Sequence, residues 1–179
     1  MRALILVDIQ NDFVPGGALA VTEGDQVAPV ANRLAGSGRF ELVVATQDWH
    51  PPDHGSFAVN HPGHKVGDVI DLNELSQVLW PVHCVRGTPG AEFVPGLETG
   101  RIAQVFRKGT DPSIDSYSGF YDNGHRRSTG MSEWLSDRGV RDVYVMGLAT
   151  DYCVKFTALD GRKLGFDVTL VEDGCRGVE

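Results

Sequence analysis

Short runs of apolar, often β-branched residues recur along the chain, with polar and glycine-rich stretches between them. Runs of this length, bounded by turn residues, are typical of strands that are buried on both faces of a parallel sheet. Four runs predict such strands, and a fifth run, at 102–106, does so with more polar interruptions. The four predicted strands cover residues 3–7, 42–46, 142–146 and 168–171.

Three of the intervening segments carry apolar residues at helical spacing. In the first, from Val27 to Leu34, apolar positions fall at i, i+3, i+4 and i+7, which places them on one helix face. Two further stripes span 131–135 and 154–159, and the three segments are followed by Gly36, Gly139 and Gly165. Strands that alternate with helices predict a three-layer α/β/α fold around a parallel, doubly wound sheet.

Residues 47–100 interrupt this alternation and hold six of the nine prolines and five of the six histidines. Long irregular segments inside a compact domain are usually functional or disordered. Because 179 residues suffice for one domain, we expect a single domain over 1–179 with a loop insertion around 47–100. Within the insertion, the spacing of Leu72, Leu75 and Leu79 predicts a short helix over 71–80.

After the predicted strand at 168–171, only a short glycine-containing stretch leads to Glu179. A doubly wound sheet normally continues with a helix that covers the face of such a strand. We therefore expect one of two arrangements. Either a partner subunit of a homo-oligomer covers this edge, or a last helix and edge strand are absent from this chain.

Composition and charge narrow the possible function classes. A formal net charge of −8 argues against nucleic acid or an anionic membrane as the main partner. The N-terminal apolar run reaches Asp8 too soon to be a signal peptide or to span a bilayer. The three cysteines match neither a disulfide framework nor a paired metal motif, so we expect reduced thiols in a cytoplasmic protein.

Cys153 has the most informative surroundings in the chain. A predicted turn follows the strand at 142–146 and starts the third helix, with Thr150 or Asp151 as its N-cap. A thiol at this position meets the positive end of the helix dipole, which favours the nucleophilic thiolate. Neighbouring backbone N–H groups are able to hold a developing oxyanion. A buried structural cysteine is the alternative interpretation.

Two more reactive side chains follow predicted strands. Asp8 comes directly after the run at 3–7, and Lys108 follows the run at 102–106. Because ligands collect at the carboxyl ends of parallel strands, we expect Asp8, Lys108 and Cys153 to meet at one edge of the sheet. There the carboxylate accepts the thiol proton, and the ammonium stabilises the charged forms. Taken singly, a capping aspartate and a solvated lysine are the alternatives.

A possible metal site lies in the insertion. Asp48, His50 and His54 fall within seven residues after the strand at 42–46, and His83 is placed to close the site from the far side of the loop. Three imidazoles and a carboxylate suit one Zn²⁺ ion, with Fe²⁺ or Mn²⁺ as alternatives. A solvated loop without a metal is the competing interpretation. Spare candidate ligands are His61, His64 and Asp53.

These motifs together resemble the nicotinamidase/pyrazinamidase branch of the isochorismatase-like cysteine hydrolases. The resemblance runs from Leu4 to Gly174, nearly the whole chain. Its most specific part is the metal loop, because isochorismatase-type members are similar elsewhere but lack that site. The matching motifs are VDIQNDF at 7–13, DWHPPDHGSF at 48–57, WPVHC at 80–84, KG at 108–109, YSGF at 117–120 and GLATDYCV at 147–154.

The resemblance implies a role for each of these motifs. The implied fold is a six-stranded parallel sheet, of which this chain would lack the last helix and edge strand. The implied catalytic triad is Asp8, Lys108 and Cys153. The N–H groups of Ala149 and Cys153, after a cis peptide bond, would form the oxyanion hole. The implied ring-pocket residues are Phe13, Trp80 and Tyr117, and the implied metal ligands are Asp48, His50, His54 and His83.

The reaction implied by the resemblance is hydrolysis of a small aromatic amide through a thioester on Cys153. Nicotinamide would give nicotinate and ammonia, and pyrazinamide would give pyrazinoate. Either Asp8 or the metal would activate the water that releases the acid. A related hydrolase for another small amide, an N-carbamoyl compound or isochorismate is the first alternative. The second alternative is a metal-binding or interaction protein without catalysis.

Overall fold

The computed structural model describes residues 1–179 and contains seven strands and three α-helices. The order of strands and helices follows the alternation that the hydrophobic pattern predicts. In chain order the elements are β1 (Arg2–Val7), α1 (Val27–Ala35), β2 (Leu42–Asp48), β3 (Val69–Leu72), β4 (Leu75–Val78), β5 (Gln104–Lys108), α2 (Met131–Asp137), β6 (Asp142–Leu148), α3 (Lys155–Lys163) and β7 (Asp167–Arg176).

Five parallel strands form the central sheet, in the spatial order β5-β2-β1-β6-β7. The chain first moves from β1 towards β5 and then returns to the other side of β1, which makes the sheet doubly wound. Helices flank the sheet, and both α1 and α3 pack against β6 and β7. The predicted fold class is therefore confirmed. All five predicted strands form, although β5 lies two residues further along than predicted, so that Lys108 is its last residue.

The central position of β1 explains its composition. Between β2 and β6, its side chains have no access to water on either face, and residues 3–7 are buried. Burial on both faces of the sheet requires a continuous apolar run rather than an alternating pattern. The first polar residue, Asp8, follows directly at the carboxyl end of the strand, where the loops of the parallel strands meet.

The short helix predicted over 71–80 is wrong. This segment forms most of an antiparallel hairpin of β3 and β4. Asn73 and Glu74 form its two-residue turn with positive φ values of 54° and 68°, the conformation that favours tight hairpins. Leu72 and Leu75 face each other across that turn. Their spacing of three residues is one that a helix also produces, which explains the incorrect prediction.

The predicted N-cap of the third helix is also wrong. The turn from Thr150 to Val154 is π-helical, and its first residues receive no side-chain cap. The carboxylate of Asp151 instead accepts hydrogen bonds from the backbone N–H groups of Val178 and Glu179, at 2.9 and 3.1 Å. Asp151 therefore connects the turn to the last residues of the chain, a contact that has no local sequence signal.

An open groove of about 750 Å³ lies beside β7, with Leu34 and Phe40 among its lining residues. Its walls contain no cysteine or histidine, so it does not coincide with the predicted chemistry. None of the helices has both the length and the apolar character that crossing a membrane requires.

Gly147 permits the close approach of β6 to β1. Its φ is 126°, and a Cβ at this position would collide with the backbone of its partner Val7. We expect Gly147→Ala to lower the free energy of unfolding by about 1–3 kcal/mol. The added Cβ would clash with backbone atoms of Val7, which cannot move aside as a flexible side chain would. Urea denaturation measures this loss. Gly96→Ala is the control, since open space surrounds Gly96; equal denaturation midpoints for the two variants would contradict the prediction.

Candidate active site

The carboxyl ends of three strands bring the three predicted catalytic residues together. Asp8 follows β1, Lys108 ends β5 and Cys153 lies in the turn after β6. The Nζ atom of Lys108 lies 2.8 Å from Oδ2 of Asp8 and 3.4 Å from Sγ of Cys153. The prediction that these side chains meet at one edge of the sheet is therefore consistent with the geometry.

Lys108 has a second carboxylate partner that the sequence did not predict. Its Nζ atom lies 2.5 Å from Oδ1 of Asp48, and it donates a hydrogen bond of 2.8 Å to the carbonyl of Ser116. Burial lowers the pKa of Lys108, but the negative charges of Asp48 and Asp8 outweigh burial and raise it well above its usual value. Lys108 is therefore a permanent cation rather than a proton carrier.

The environment of Asp8 makes it a proton acceptor. Its φ is 48°, which turns the chain away from β2, and its Oδ1 atom accepts a hydrogen bond of 2.6 Å from the hydroxyl of Thr46. Burial is the largest influence on the pKa of Asp8 and raises it, Lys108 lowers it, and the net pKa is raised. A carboxylate with a raised pKa holds an accepted proton more readily.

Burial opposes the thiolate form of Cys153, although the helix terminus alone favours it. The residue is 7% exposed, and burial raises the pKa of its thiol well above the usual value even though Lys108 lowers it. The reactive atoms of Asp8, Asp48 and Cys153 lie within 4.8 Å of one another. The thiol consequently needs a base for activation, and Asp8 is within reach of that role.

Three of the predicted metal ligands converge with their coordinating atoms free. Oδ2 of Asp48 lies 3.5 Å from Nε2 of His50 and 3.9 Å from Nε2 of His83. The Nδ1 atoms of His50 and His83 each lie 2.7 Å from a backbone carbonyl, so these nitrogens carry the proton and the Nε2 lone pairs point inward. A backbone carbonyl that fixes the ring in this way is typical of metal-binding histidines.

His54 is held differently. Its Nδ1 atom accepts a hydrogen bond of 3.2 Å from the backbone N–H of Ser56, so in the neutral ring the proton is on Nε2. Burial and the neighbouring His50 lower the pKa of His54 to about 4, which keeps the ring neutral. His54 groups with His50 and Asp115, and His50 also groups with Asp48 and His83. The four predicted ligands therefore fall into two adjoining groups that share His50.

The donor set fits a metal ion. Nε2 of His50 is buried without a hydrogen-bond partner, and burying such an atom unpaired is unfavourable. Burial raises the pKa of Asp48, but Lys108 and His50 lower it more, so the carboxylate stays charged. A buried carboxylate beside two inward-facing imidazole nitrogens is suited to one divalent metal ion.

Asp115 is a site residue that the sequence analysis missed. It is buried, and its carboxylate lies within 4.8 Å of the imidazole nitrogens of His50 and His54. It accepts hydrogen bonds from the N–H of Ser116 and the amide of Gln77. Its only sequence signal is its position between the KG and YSGF motifs, in the loop that leaves the carboxyl end of β5.

One pocket extends from the Cys153 thiol to the group of Asp48, His50 and His83. The predicted ring-pocket residues Phe13, Trp80 and Tyr117 all line it. The Trp80 indole donates a hydrogen bond of 3.2 Å to the Tyr117 hydroxyl, which fixes the two aromatic walls relative to each other. The lining also includes residues that the sequence analysis did not single out: Leu19, Val21, Tyr152 and Val178.

The two residues predicted to form the oxyanion hole lie beside the pocket. Ala149 and Cys153 both line the pocket, and the peptide bond between Leu148 and Ala149 is cis. The role of their N–H groups as an oxyanion hole stays a prediction.

Comparison with known proteins identifies the family. The model of the Isochorismatase domain matches residues 2–179. This chain belongs to the isochorismatase family. The predicted resemblance is thus confirmed, including its nicotinamidase/pyrazinamidase branch, because curated relatives at high identity carry those names.

Three relatives of this isochorismatase-family chain are informative. The nicotinamidase of Escherichia coli (strain K12) is 54% identical over 99% of this chain and 84% of its own length. The structure of PnC1 from L. infantum in complex with nicotinate has a TM-score of 0.88 and 41% identity, over 100% of this chain and 82% of that chain. The Pyrococcus horikoshii pyrazinamidase in complex with zinc has a TM-score of 0.80 and 40% identity, over 99% and 87%.

The buried lysine should be essential for stability. Lys108→Met removes the cation between Asp8 and Asp48 and leaves two carboxylates buried without it. We expect the free energy of unfolding to fall by about 3–5 kcal/mol, the usual cost of breaking a buried ion pair. Urea denaturation in the presence of a chelator measures the effect without metal.

The matched control for this prediction is Lys163→Met. Lys163 is 70% exposed and lies 3.6 Å from Asp160, so its removal should cost less than about 1 kcal/mol. A similar loss in both variants would contradict the structural role of Lys108.

Proposed function

We propose that this chain hydrolyses nicotinamide to nicotinate and ammonia, with Cys153 as the nucleophile. The observation that carries the proposal is the single pocket with aromatic walls that joins Cys153 to the group of Asp48, His50 and His83. The name of the Escherichia coli relative supports the substrate, as does the nicotinate bound to the L. infantum protein. Pyrazinamide, a ring of similar shape, is proposed as a second substrate.

Asp8 starts the reaction by accepting the proton of the Cys153 thiol. The raised pKa of Asp8 and the nearness of the two groups support this transfer. Lys108 keeps its charge throughout and stabilises the thiolate that forms 3.4 Å away. The sulfur then attacks the carboxamide carbon and forms a tetrahedral intermediate with a negative oxygen.

The N–H groups of Ala149 and Cys153 are proposed to bind that oxygen. Losing one such donor typically raises the barrier by about 2.7–4 kcal/mol. Asp8 returns its proton to the departing nitrogen, so ammonia leaves and a thioester remains on Cys153. Asp8 is then free to take a proton from the water that hydrolyses the thioester, which regenerates the thiol and releases the acid.

We propose that Asp48, His50 and His83 hold one divalent ion, with Zn²⁺ favoured over Fe²⁺ and Mn²⁺. The zinc in the P. horikoshii pyrazinamidase supports this choice. When bound, the ion would act as a Lewis acid towards the ring nitrogen of the substrate and so orient the ring. His54, whose Nε2 carries a proton, and Asp115 are suited to hydrogen bonds at the edge of this site.

Phe13, Trp80 and Tyr117 are proposed to enclose the aromatic ring and hold its carboxamide towards Cys153. Aromatic walls contribute binding energy through ring packing. The 47–100 insertion provides most of the metal ligands, so we propose that it acts as part of a single domain over 1–179 rather than as a separate unit. The three buried free thiols support a reducing, cytoplasmic location.

Cys153→Ala should abolish release of ammonia from nicotinamide, because no thioester forms without the sulfur. An ammonia assay on the zinc-loaded protein measures the rate. Cys175→Ala is the matched control, since Cys175 is also buried but lies outside the pocket lining. A Cys153→Ala variant with a near-normal rate would rule out covalent catalysis.

His50→Ala should lose the bound metal. The change removes one of three ligands and empties a fully buried position. Metal content after dialysis, measured by mass spectrometry, should fall from near one ion per chain to a small fraction. His64→Ala, which alters an exposed histidine outside the cluster, should keep its metal. Full metal content in both variants would exclude the proposed ligand set.

A further inference from the structure

The carboxylate of Asp48 has two tasks, and its placement depends on one side chain from another strand. We propose that Gln10 is a positioning residue that fixes Asp48 for both tasks, and that Gln10 thereby sets the affinity of the metal site. This inference rests on the proposed function, because it takes Asp48 as a metal ligand. Gln10 itself is not a member of the group of Asp48, His50 and His83 and does not line the pocket; it contacts both only through the backbone of Asp48.

The need for Gln10 arises where β1 leaves the sheet. The paired register of β1 and β2 ends at Leu6 opposite Ala45, and the positive φ of Asp8 then turns the chain away. Asp48 lies three residues further along β2, so its N–H and C=O have no strand partner on the β1 side. Backbone groups that are buried without a partner are strongly unfavourable.

The side-chain amide of Gln10 replaces the missing strand at this point. Its oxygen accepts a hydrogen bond of 2.9 Å from the N–H of Asp48, and its nitrogen donates one of 2.8 Å to the carbonyl of Asp48. The second amide hydrogen goes to the carbonyl of Ala91, also at 2.8 Å. Gln10 is fully buried, and both of its donors are satisfied.

This arrangement determines the orientation of the amide. The nitrogen faces two carbonyls and the oxygen faces an N–H group, so a flipped amide would lose all three hydrogen bonds. A carboxylate cannot donate to the two carbonyls, and an apolar side chain makes none of the three bonds. Only a primary amide of this length satisfies all three backbone groups at once.

A small displacement of Asp48 would disturb both ends of its carboxylate. Oδ1 contacts the ammonium of Lys108, and Oδ2 lies between the Nε2 atoms of His50 and His83. Sites of this kind tolerate only about 0.5 Å of misplacement before function is lost. Because Gln10 holds both backbone groups of Asp48, it controls the direction in which the side chain leaves the strand.

Gln47 provides a matched comparison within the same strand. It is also a buried glutamine, and its amide nitrogen donates to the same Ala91 carbonyl at 2.9 Å. Its amide oxygen, however, accepts from Arg107 rather than from Asp48. Removing the Gln47 amide therefore deletes hydrogen bonds of the same kind without freeing the backbone of Asp48.

The test compares the zinc affinity of Gln10→Met, Gln10→Asn and Gln47→Met with that of the unaltered chain. Competition with a chromophoric chelator measures the dissociation constant, and urea denaturation of the metal-free proteins measures stability. We expect Gln10→Met to bind zinc about 10–100-fold more weakly. This is the usual effect of losing a residue whose hydrogen bonds hold a metal ligand in place. Gln10→Asn, one methylene too short to reach, should weaken binding as well and serves if the methionine variant does not fold.

Gln47→Met should keep its zinc affinity within about threefold, even where its stability falls as much as that of the Gln10 variants. Unchanged affinity in Gln10→Asn, or an equal loss in the Gln10 and Gln47 variants, would overturn the positioning role. His50→Ala distinguishes failure of the metal site from failure of the positioning role of Gln10. If it binds zinc as tightly as the unaltered chain, the metal site of the proposed function falls, and the role of Gln10 falls with it.

Discussion

The ammonium of Lys108, enclosed between the carboxylates of Asp8 and Asp48, is the interaction on which the site depends. The Lys108 and Asp8 side chains are 0% exposed, and the Asp48 side chain is 6% exposed. None of these charges would be tolerated there alone, because burying an unpaired ion costs several kcal/mol. Together they connect the carboxyl ends of β1, β2 and β5, so the same ion group that holds the sheet edge together also sets the protonation of the nucleophile.

The two carboxylate oxygens of Asp48 face different halves of the site. One oxygen balances the charge of Lys108 beside the thiol, and the other faces the imidazoles of His50 and His83. Cys153 and the histidine pair are therefore parts of one charge network rather than independent sites. The pocket between them is lined by Phe13, Trp80 and Tyr117, with Cys153 at one end and His83 and Asp48 also in its lining.

The insertion between β2 and β5 holds its histidines and Trp80 in place with little regular secondary structure. Single backbone bridges hold it in place, such as the pairing of His50 with Val85 and of Phe57 with Trp80. These bridges bring His83 beside His50, although 33 residues separate them along the chain. They explain why an irregular segment is able to orient imidazole rings and an aromatic wall, tasks that usually require a rigid scaffold.

The sequence by itself determined the sheet, because apolar runs buried on both faces leave a strong pattern. It also placed Asp8, Lys108 and Cys153 at one edge, since parallel strands share a carboxyl end. Only the tertiary structure decided the finer features: Asp115 beside His50 and His54, Gln10 behind the backbone of Asp48, and the burial of the Cys153 thiol. Each of these depends on burial or on hydrogen bonds between distant segments. Local spacing carries no record of such contacts, which is also why Leu72 and Leu75 suggested a helix where a hairpin forms.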